Sequence, residues 1–511
     1  MSQNLPENIE SVRGNRRAVV VDGTLIYIAR RFLNPFIFFV GEIRVEEIQA
    51  ATMKGSILGL RLEIEKASGE RICVRGLDRP EVMEIVELVS HKPVNPTEHN
   101  GAPTNVQGLL ALFEPHLNEI FQDEPNCISR LADLIIGKAI ELKASDIHFE
   151  PLETVKIRYR IDGVLIDAVE IPFEYHARIV SRIKVLAKLP TYERDVPLDG
   201  RIEKDYGPGL DLRVSTFPTI RGDNVVVLIF YSGQNLFTRD ELGFSKSVLE
   251  QFESLILAPE GTVILTGPSN SGKTTTIYSA LERIYEVKQN TVNIATIEDP
   301  VERDLRKFSQ TQVAPARGLT FASALRSVLR QDPNVIVVGE IRDAETANTA
   351  IRAGMTGHLV ISTIHSGTAS GAFARLLEMG LEPFVLASSI SGVMAQRLVR
   401  KVCAGCAVSV KASDDLLSTF GIEKADFEER RGAGCNACAG TGYRGRTVIA
   451  ELLIMNDTLR AAVLARSSAI EMRKIAKANG MRDLLEDGIE KVKAGATNLE
   501  ELARVLVPDG T

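Results

Sequence analysis

Short apolar runs alternate with segments of helical periodicity along the chain from residue 235 onward. Four of these runs consist almost entirely of aliphatic and β-branched residues, which is typical of strands buried on both faces of a parallel sheet. Between the first two runs, the segment Gly272–Glu286 places Ile277, Leu281 and Ile284 on one helical face. This alternation predicts an α/β domain with a parallel sheet covered by helices on both sides. The predicted strands are GTVILTG (261–267), TVNIATIED (291–299), VIVVGE (335–340) and HLVISTIH (358–365).

The pattern before residue 235 is different. The helical run CISRLADLIIGKAIEL precedes VKIRYRIDGVLIDAVEI, in which apolar and charged residues alternate as they do in half-buried strands. We therefore expect a mixed α+β domain in this part of the chain. The stretch from His91 to Asn105 is rich in proline and polar residues and predicts a linker. Beyond Cys438 the chain is expected to be helical.

These patterns divide the chain into several domains, as its length of 511 residues requires, because one hydrophobic core does not grow that large. The predicted parts are an N-terminal domain of unknown type (1–90), a linker (91–112), an α+β domain (113–234), an α/β core (235–400), a four-cysteine module (401–448) and a helical C-terminal domain (449–511).

Composition and charge narrow the class of protein. The chain has 60 Lys and Arg residues against 67 Asp and Glu residues, a net charge of −7, which argues against a protein that coats nucleic acid. No apolar run approaches the roughly 18 residues that predict a membrane span. The N-terminus MSQNLPENIESVRGNRR lacks the apolar core of a secretory signal. We therefore expect a cytoplasmic protein whose contact with any membrane is peripheral.

The segment GPSNSGKT fits the phosphate-binding consensus GxxxxGK[ST] and lies between a predicted strand and a predicted helix. Its glycines allow successive backbone N–H groups to point at phosphate, and the helix N-terminus adds its dipole. Lys273 can reach the β- and γ-phosphates, and Thr274 can bind Mg²⁺. The strand–loop–helix context makes a chance match a weak alternative. The predicted nucleotide-binding residues are Gly267, Pro268, Ser269, Asn270, Ser271, Gly272, Lys273, Thr274 and Thr275.

Polar residues follow the other predicted strands. Glu340 comes directly after VIVVG, so a parallel sheet would bring it to the same edge as the phosphate-binding loop. A carboxylate there can activate the water that attacks the γ-phosphate, or hold the waters of a magnesium ion. TIEDPVE adds Glu298, Asp299 and Glu302. Taken alone, this acidic group would be a solvated turn, and Glu340 a solvated strand end.

Two histidines flank the fourth strand, His358 before it and His365 after it. A single histidine in such a place is more often a hydrogen-bonded structural residue than a catalytic one. The convergence of three strands on one phosphate-binding loop favours a functional role for the polar residues at that edge.

Four of the six cysteines form two CxxC pairs, Cys403 with Cys406 and Cys435 with Cys438, separated by 28 residues. Four thiolates in this spacing are typical of a closed, structural zinc site. Unligated thiols are the weaker alternative, and disulfides are disfavoured in a cytoplasmic protein. Such a module could also bind nucleic acid, but its basic flanks are interleaved with acidic residues and have almost no aromatic residues.

The run from Gly267 to Glu378 resembles the secretion ATPases of type II secretion and type IV pilus assembly. GPSNSGKTTT is similar to their Walker A motif, TIEDPVE to their aspartate box, and LRQDPNVIVVGEIRDAETANTAIRAGMTGH to their Walker B region, which runs into a histidine box ending at His365. The resemblance implies a RecA-like motor domain, ATP and Mg²⁺ as ligands, and Glu340 at the Walker B position. Extension-type members carry a similar four-cysteine module, which implies Zn²⁺.

The likeness extends upstream, so that it covers roughly residues 115 to 470. ASDIHFEP, RYRIDGVL, RIVSRIKVLAKL, PLDGRI and RVSTFPTIRG resemble the family's second N-terminal domain, which is PAS-like. In that domain, arginines clamp the phosphates of the nucleotide at a subunit boundary, which implies this role for Arg201 and Arg213. Without the resemblance both would be surface ion-pair partners. Two positions depart from the family pattern: Leu198 replaces a glutamine and Leu228 replaces an arginine.

The leading hypothesis is a homo-hexameric ATPase that powers assembly of a type IV pilus or a type II secretion pseudopilus. The resemblance implies work at the cytoplasmic face of the inner membrane, with a polytopic platform protein and cytoplasmic assembly proteins as partners. The main alternative is a RecA-like motor acting on nucleic acid. The excess of acidic over basic residues and the absence of Trp argue against this alternative. The expected catalytic residues are Glu340, Glu298 as the second choice of base, Lys273, Arg201, Arg213 and His365.

Overall fold

The computed structural model of the chain describes the strands between residues 17 and 75, Leu109, and residues 113–123, 126–193, 195–231, 238–289, 291–422 and 427–506. The chain forms two compact units, residues 1–102 and residues 103–511. Apart from Leu109, the predicted linker (91–112) lies outside the described residues.

Within the first unit, six strands form two separate antiparallel sheets of three strands each, in the orders β1-β2-β3 and β4-β5-β6. Sequence patterns assigned no fold to this part of the chain. The strands are β1 (Arg17–Asp22), β2 (Leu25–Phe32), β3 (Phe36–Arg44), β4 (Ile48–Ser56), β5 (Gly59–Lys66) and β6 (Arg71–Arg75).

The second unit begins with the expected α+β domain. Its antiparallel sheet has six strands in the order β10-β11-β12-β7-β8-β9. Along β8, Val155, Ile157 and Tyr159 are buried while the residues between them are partly exposed. This alternation puts one face of the sheet against the helices and leaves the other face polar. The elements are α1 (Glu114–Gln122), α2 (Cys127–Glu141), β7 (Asp146–Pro151), β8 (Val155–Ile161), β9 (Val164–Ile171), α3 (His176–Leu186), β10 (Leu198–Ile202), β11 (Leu210–Thr219) and β12 (Gly222–Tyr231).

The predicted α/β core is confirmed as a seven-stranded sheet in the order β15-β14-β16-β17-β13-β18-β21. Six neighbouring strands are parallel, and β21 runs antiparallel to β18 at the edge. Its strands are β13 (Gly261–Thr266), β14 (Ile294–Glu298), β15 (Ser309–Gln312), β16 (Val335–Val338), β17 (Leu359–Ile364), β18 (Ile390–Val402) and β21 (Tyr443–Ile454). Its helices are α4 (Lys246–Ile256), α5 (Lys273–Lys288), α6 (Phe321–Val328), α7 (Ala344–Ala353), α8 (Ala369–Glu378) and α9 (Pro383–Ser389).

Successive residues of the central strands supply two hydrophobic cores, one on each face of the sheet. Ile264 packs with residues of α6 to α9, whereas its neighbours Val263 and Leu265 pack with residues of α4 and α5. All residues of β13 and β17 are buried. Each such aliphatic side chain stabilises the fold by roughly 1.5–3 kcal/mol relative to exposure. The sheet is therefore a firm base for the loops at its carboxyl edge.

The chain beyond Cys438 differs from the prediction. The segment from Tyr443 to Ile454 forms β21 in the main sheet and is not helical. The first helix after β21 begins at Asp457. No helix in the described part of the chain combines the length and apolar character that a membrane crossing needs. The remaining elements are the hairpin strands β19 (Ala407–Lys411) and β20 (Glu428–Gly432), and helices α10 (Asp414–Thr419), α11 (Asp457–Leu464), α12 (Ala469–Ala478), α13 (Leu484–Lys493) and α14 (Leu499–Val505).

Candidate functional site

The phosphate-binding loop, Gly267–Thr274, joins the end of β13 to the first turn of α5. Gly272 caps α5 in the left-handed conformation at φ 88°, and Gly267 has φ 147°. A Cβ atom at Gly267 would lie 2.5 Å from the backbone oxygen of Gln396. Only glycine fits this close approach, so the neighbouring strand β18 helps to shape the loop.

Lys273 and Thr274 are the first two residues of α5, and their side chains have different hydrogen-bond partners. Lys273 Nζ donates hydrogen bonds to the backbone oxygens of Gly267, at 3.0 Å, and Pro268, at 2.9 Å. Burial lowers the pKa of Lys273, and the carboxylate of Glu340 acts in the opposite direction. Thr274 Oγ1 donates to Glu302 Oε1 at 3.2 Å, and burial raises the pKa of Glu302. The loop thus contacts Glu302, a residue that follows β14.

Glu340 lies two residues beyond the end of β16. Its carboxylate forms an ion pair with Arg342, and its Oε2 atom lies 3.6 Å from Nε2 of His365. The Glu340 side chain is 16% exposed, so its carboxylate remains accessible to water. The tertiary structure therefore brings together Glu340 and His365, which the sequence placed at this edge on separate strands.

Glu298, the last residue of β14, is in a different environment although it lies at the same edge. Its side chain is buried and accepts hydrogen bonds from the hydroxyls of Tyr278 and Thr296. A third bond comes from Gln310 Nε2, at 3.0 Å. These three donors use most of the acceptor capacity of a carboxylate. Glu298 consequently connects α5, β14 and β15.

His358 does not join this edge, because it precedes β17 and so lies at the opposite end of the parallel strands. Its Nδ1 atom lies 3.2 Å from the backbone oxygen of Ala353 and 3.3 Å from Thr356 Oγ1. Of the two histidines, only His365 lies near the phosphate-binding loop's edge of the sheet.

Arg201 and Arg213 occupy directly paired positions on β10 and β11. Both donate to Asp211, Arg201 Nε at 2.6 Å and Arg213 Nε at 3.4 Å. Their side chains are 69% and 46% exposed. Among the described residues, no hydrogen bond or ion pair joins either arginine to the phosphate-binding loop. Leu228 is the β12 partner of Arg213. The arginine that the family pattern has at this position would therefore lie beside Arg213, on the next strand.

Two residues at the loop were missed by sequence reasoning. Gln396 Nε2 donates to the backbone oxygen of Ser271 at 2.8 Å, and Arg397 follows it on β18. In the sequence, these two residues appear as a Gln-Arg pair that interrupts the apolar strand ISGVMAQRLVRKV. The pair could not be assigned to the loop without the sheet order, which puts β18 next to β13.

The four cysteines converge as their spacing predicted. Their sulfur atoms all lie within 4.8 Å of one another, and the Sγ atoms of Cys403 and Cys435, like those of Cys406 and Cys438, are 3.8 Å apart. A metal ion about 2.3 Å from each of four tetrahedral sulfurs requires sulfur–sulfur separations of about 3.8 Å. The donor set therefore fits one tetrahedral ion.

Glycines allow the two cysteine turns to come this close. A Cβ atom at Gly432 would lie 2.0 Å from the backbone oxygen of Gly442, so the two backbones are in direct contact. The backbone N–H of Gly442 also donates to Cys438 Sγ at 3.3 Å. This bond helps to hold the Cys438 sulfur in place beside the other three sulfurs.

Comparison with known proteins extends this picture. Residues 122–504 match the family described as Type II/IV secretion system protein. The chain is 44% identical over 396 residues to Type II secretion system protein E of Xanthomonas campestris pv. campestris, covering 76% of this chain and 69% of that protein. It is also 44% identical over 378 residues to the Type IV pilus assembly ATPase PilB of Thermus thermophilus, covering 73% of this chain and 42% of that protein.

Solved structures agree on the fold. The ATPase DotB of Legionella pneumophila aligns with a TM-score of 0.53 at 20% sequence identity, covering 73% of this chain and 94% of that chain. At this identity the likeness supports the architecture of the second unit and carries no information on activity.

Proposed function

This chain belongs to the Type II/IV secretion system protein family, and from that premise we propose that it hydrolyses ATP to drive assembly of a type II secretion pseudopilus or a type IV pilus. The observation that carries the proposal is that a phosphate-binding loop, Glu340 and His365 lie together at one edge of the sheet. This site offers a place for phosphates and an accessible carboxylate beside it.

In this proposal the loop from Gly267 to Thr275 binds the nucleotide. Lys273 neutralises charge on the β- and γ-phosphates, as its position against the loop backbone allows. Thr274 holds Mg²⁺, which supplies charge stabilisation at the phosphates when it is bound. Glu302, joined to Thr274, is placed to accept hydrogen bonds from the water ligands of such an ion.

Glu340 is the proposed group that orients and deprotonates the attacking water. Its side chain is partly exposed and lies against Arg342 and His365, whereas Glu298 is buried among three hydrogen-bond donors. A base must reach water, so the difference in environment favours Glu340. His365, 3.6 Å from Glu340, stabilises the carboxylate and helps to hold its orientation.

Arg201 and Arg213 are the proposed phosphate clamp. They are exposed side by side on the α+β domain, and the one carboxylate that both bind is Asp211. An exposed pair of guanidinium groups can move to a nucleotide at little cost and neutralise charge that develops in the transition state. We infer that the clamp acts between subunits of a homo-hexamer, so that hydrolysis moves one domain relative to another.

The cysteine site is proposed to hold structural Zn²⁺. Four thiols with tetrahedral spacing leave no open position for substrate, which is the arrangement of a structural ion. The ion would tie β19 and β20 to the edge of the main sheet. We further propose that the protein works at the cytoplasmic face of the inner membrane with a polytopic platform protein and cytoplasmic assembly proteins, and not on nucleic acid.

The test is steady-state hydrolysis of Mg–ATP by the purified full chain over a range of protein concentrations, with and without DNA. We expect turnover that rises per chain with concentration and that DNA leaves unchanged. Absence of hydrolysis at every concentration would refute the ATPase proposal. Strong stimulation by DNA would instead favour a motor that acts on nucleic acid.

A further inference from the structure

Arg397 lies beside the phosphate-binding loop, on the strand next to the one that leads into it. Its terminal nitrogen Nη1 would lie 3.2 Å from a Cβ atom placed on Gly267. Nη1 donates to the backbone oxygen of Gln396 at 3.1 Å, and Nη2 donates to the backbone oxygen of Gly367 at 2.7 Å. Gly367 is two residues beyond His365. One guanidinium group therefore bonds to β18 and to the histidine loop, defined here as His365–Thr368, and lies beside the start of the phosphate-binding loop.

The charge of Arg397 lacks a close counter-ion. Within the described parts of the chain, its guanidinium forms no ion pair with a carboxylate, and both of its hydrogen bonds go to neutral backbone oxygens. The carboxylate that attracts it from further away is Glu451, which is buried and already accepts a hydrogen bond from the backbone N–H of Ala369 at 2.6 Å. A partly buried charge without a partner is costly, so such a residue is expected to meet an anion that comes from outside the chain.

A second cation lies at the same end of the loop. Lys273 Nζ is bonded to the backbone oxygens of Gly267 and Pro268, and the charge of Arg397 helps to lower the pKa of Lys273 after the larger effect of burial. Two cations that repel one another across Gly267 mark a place suited to an anion with several negative charges. Lys273 in such a loop reaches the β- and γ-phosphates, so the terminal phosphate of a nucleoside triphosphate belongs on this side.

We propose that Arg397 contacts the terminal phosphate of ATP and, through its bond to the Gly367 oxygen, makes the position of the histidine loop depend on that phosphate. The proposal rests on the proposed ATPase function. Its chemistry is a charge-assisted hydrogen bond from a guanidinium to a phosphate oxygen. Because His365 also lies near Glu340, loss of the terminal phosphate would be transmitted to the group that activates water.

A purely structural role gives a different expectation. If Arg397 only fastened β18 to the histidine loop, its removal would disturb the binding of ATP and ADP to the same degree. A contact with the terminal phosphate affects a triphosphate much more than a diphosphate. The ratio of the two affinities therefore separates the two roles.

The experiment uses the full-length chain and three variants: Arg397→Gln, Arg397→Lys, and Arg460→Gln as a control. Arg460 is an exposed arginine on α11 that pairs with Asp457, so its variant loses a charge without touching the site. The dissociation constants of the non-hydrolysable analogue AMP-PNP and of ADP are measured by calorimetry with Mg²⁺, and each variant is checked by thermal unfolding.

We expect Arg397→Gln to weaken AMP-PNP binding about tenfold or more, and ADP binding less than about threefold, as loss of one hydrogen bond to a charged group predicts. Arg397→Lys should retain AMP-PNP affinity to within about threefold because it keeps the charge. Its turnover should nevertheless fall about tenfold, since one ammonium cannot reproduce the fork that spans two carbonyls and a phosphate. The control should match the unmodified chain.

Equal weakening of AMP-PNP and ADP binding in Arg397→Gln, or no change in either, would overturn the proposal. If Arg397→Gln does not fold, Arg397→Lys alone decides. Turnover by Arg397→Lys equal to that of the unmodified chain would contradict the proposed link between the terminal phosphate and the histidine loop. The affinity measurements need no hydrolysis. An unmodified chain that binds AMP-PNP but does not turn over ATP would therefore refute the proposed function separately from the role of Arg397.

Discussion

The hydroxyl of Tyr278, on the helix that follows the phosphate-binding loop, donates a hydrogen bond to the carboxylate of Glu298 at the end of β14. Burial first, and this bond second, raise the pKa of Tyr278. The phenol therefore stays protonated and remains a donor. This bond joins α5 to the sheet, and the carboxylate of Glu340, unlike that of Glu298, is accessible to water.

This difference predicts opposite behaviour of two isosteric variants. Glu340→Gln should still bind ATP but lose hydrolysis by about 100-fold or more, because an amide cannot accept a proton. Glu298→Gln should keep turnover within about tenfold, with stability lowered by about 1–2 kcal/mol through the altered hydrogen bonds. Single-turnover hydrolysis and nucleotide affinity measured for both variants are the test. Abolished turnover in Glu298→Gln with normal turnover in Glu340→Gln would reverse the assignment.

Lys273→Ala should abolish turnover and leave the fold intact, because the lost ammonium contacts only backbone oxygens of its own loop. Lys246→Ala is the matched control, since Lys246 is an exposed residue at the start of α4 with a long ion pair to Glu250. Hydrolysis rates and melting temperatures of both variants are compared with the unmodified chain. Normal hydrolysis by Lys273→Ala, with contaminating ATPases excluded, would contradict the proposed role of the loop.

The arginine clamp predicts a split between binding and chemistry. Arg201→Ala or Arg213→Ala should lower kcat by about 10³-fold, the lower range for an arginine that stabilises phosphoryl transfer, while the nucleotide dissociation constant changes less than about threefold. Both side chains are exposed, so folding should be unaffected. Steady-state kinetics and analytical ultracentrifugation provide the readouts. Unaltered kinetics in both variants would refute the clamp, and a fully active monomer would refute the ring.

The cysteine module should contain one zinc ion per chain. Elemental analysis of protein never exposed to chelator measures this directly, and Cys403→Ser should reduce the content and loosen the β19–β20 hairpin. Nucleotide affinity should stay close to that of the unmodified chain, because the ion has a structural role. A preparation without zinc that still has the module intact by hydrogen exchange would contradict the assignment.

Glu501 on α14 predicts a pH effect on stability. Its carboxylate is fully buried and binds Arg504 and Arg400. Burial alone would raise the pKa of Glu501, but the bonds from the two arginines lower it overall. The stability it contributes is therefore present above the unfolded pKa of about 4.3 and is lost as the pH falls through the lower folded pKa.

Glu501→Gln should destabilise the protein by about 3 kcal/mol at neutral pH, because two arginines lose a buried counter-ion. Glu490→Gln, on the exposed face of α13, is the control. Chemical denaturation between pH 3 and pH 7 measures the effect. If the two variants were equally stable at neutral pH, the buried ion pair would not stabilise the C-terminal region.

The sequence by itself determined those features that depend on residues close together in the chain. Runs of mostly aliphatic and β-branched residues without charge predicted β13, β16 and β17, because a strand buried on both faces needs such residues on both sides. The phosphate-binding loop was evident because its geometry is encoded by two glycines at a fixed spacing, Gly267 and Gly272, directly before a helix. The two CxxC turns were evident for the same reason.

The tertiary structure alone decided which of these features meet. The sheet order β15-β14-β16-β17-β13-β18-β21 does not follow chain order, so Gln396 contacts the loop backbone at Ser271, 125 residues away. An apolar pattern gives the direction a side chain faces but not the identity of the neighbouring strand. For that reason β21 and Arg397 were missed, and the contrast between the buried Glu298 and the accessible Glu340 emerged only from the packing around each carboxylate.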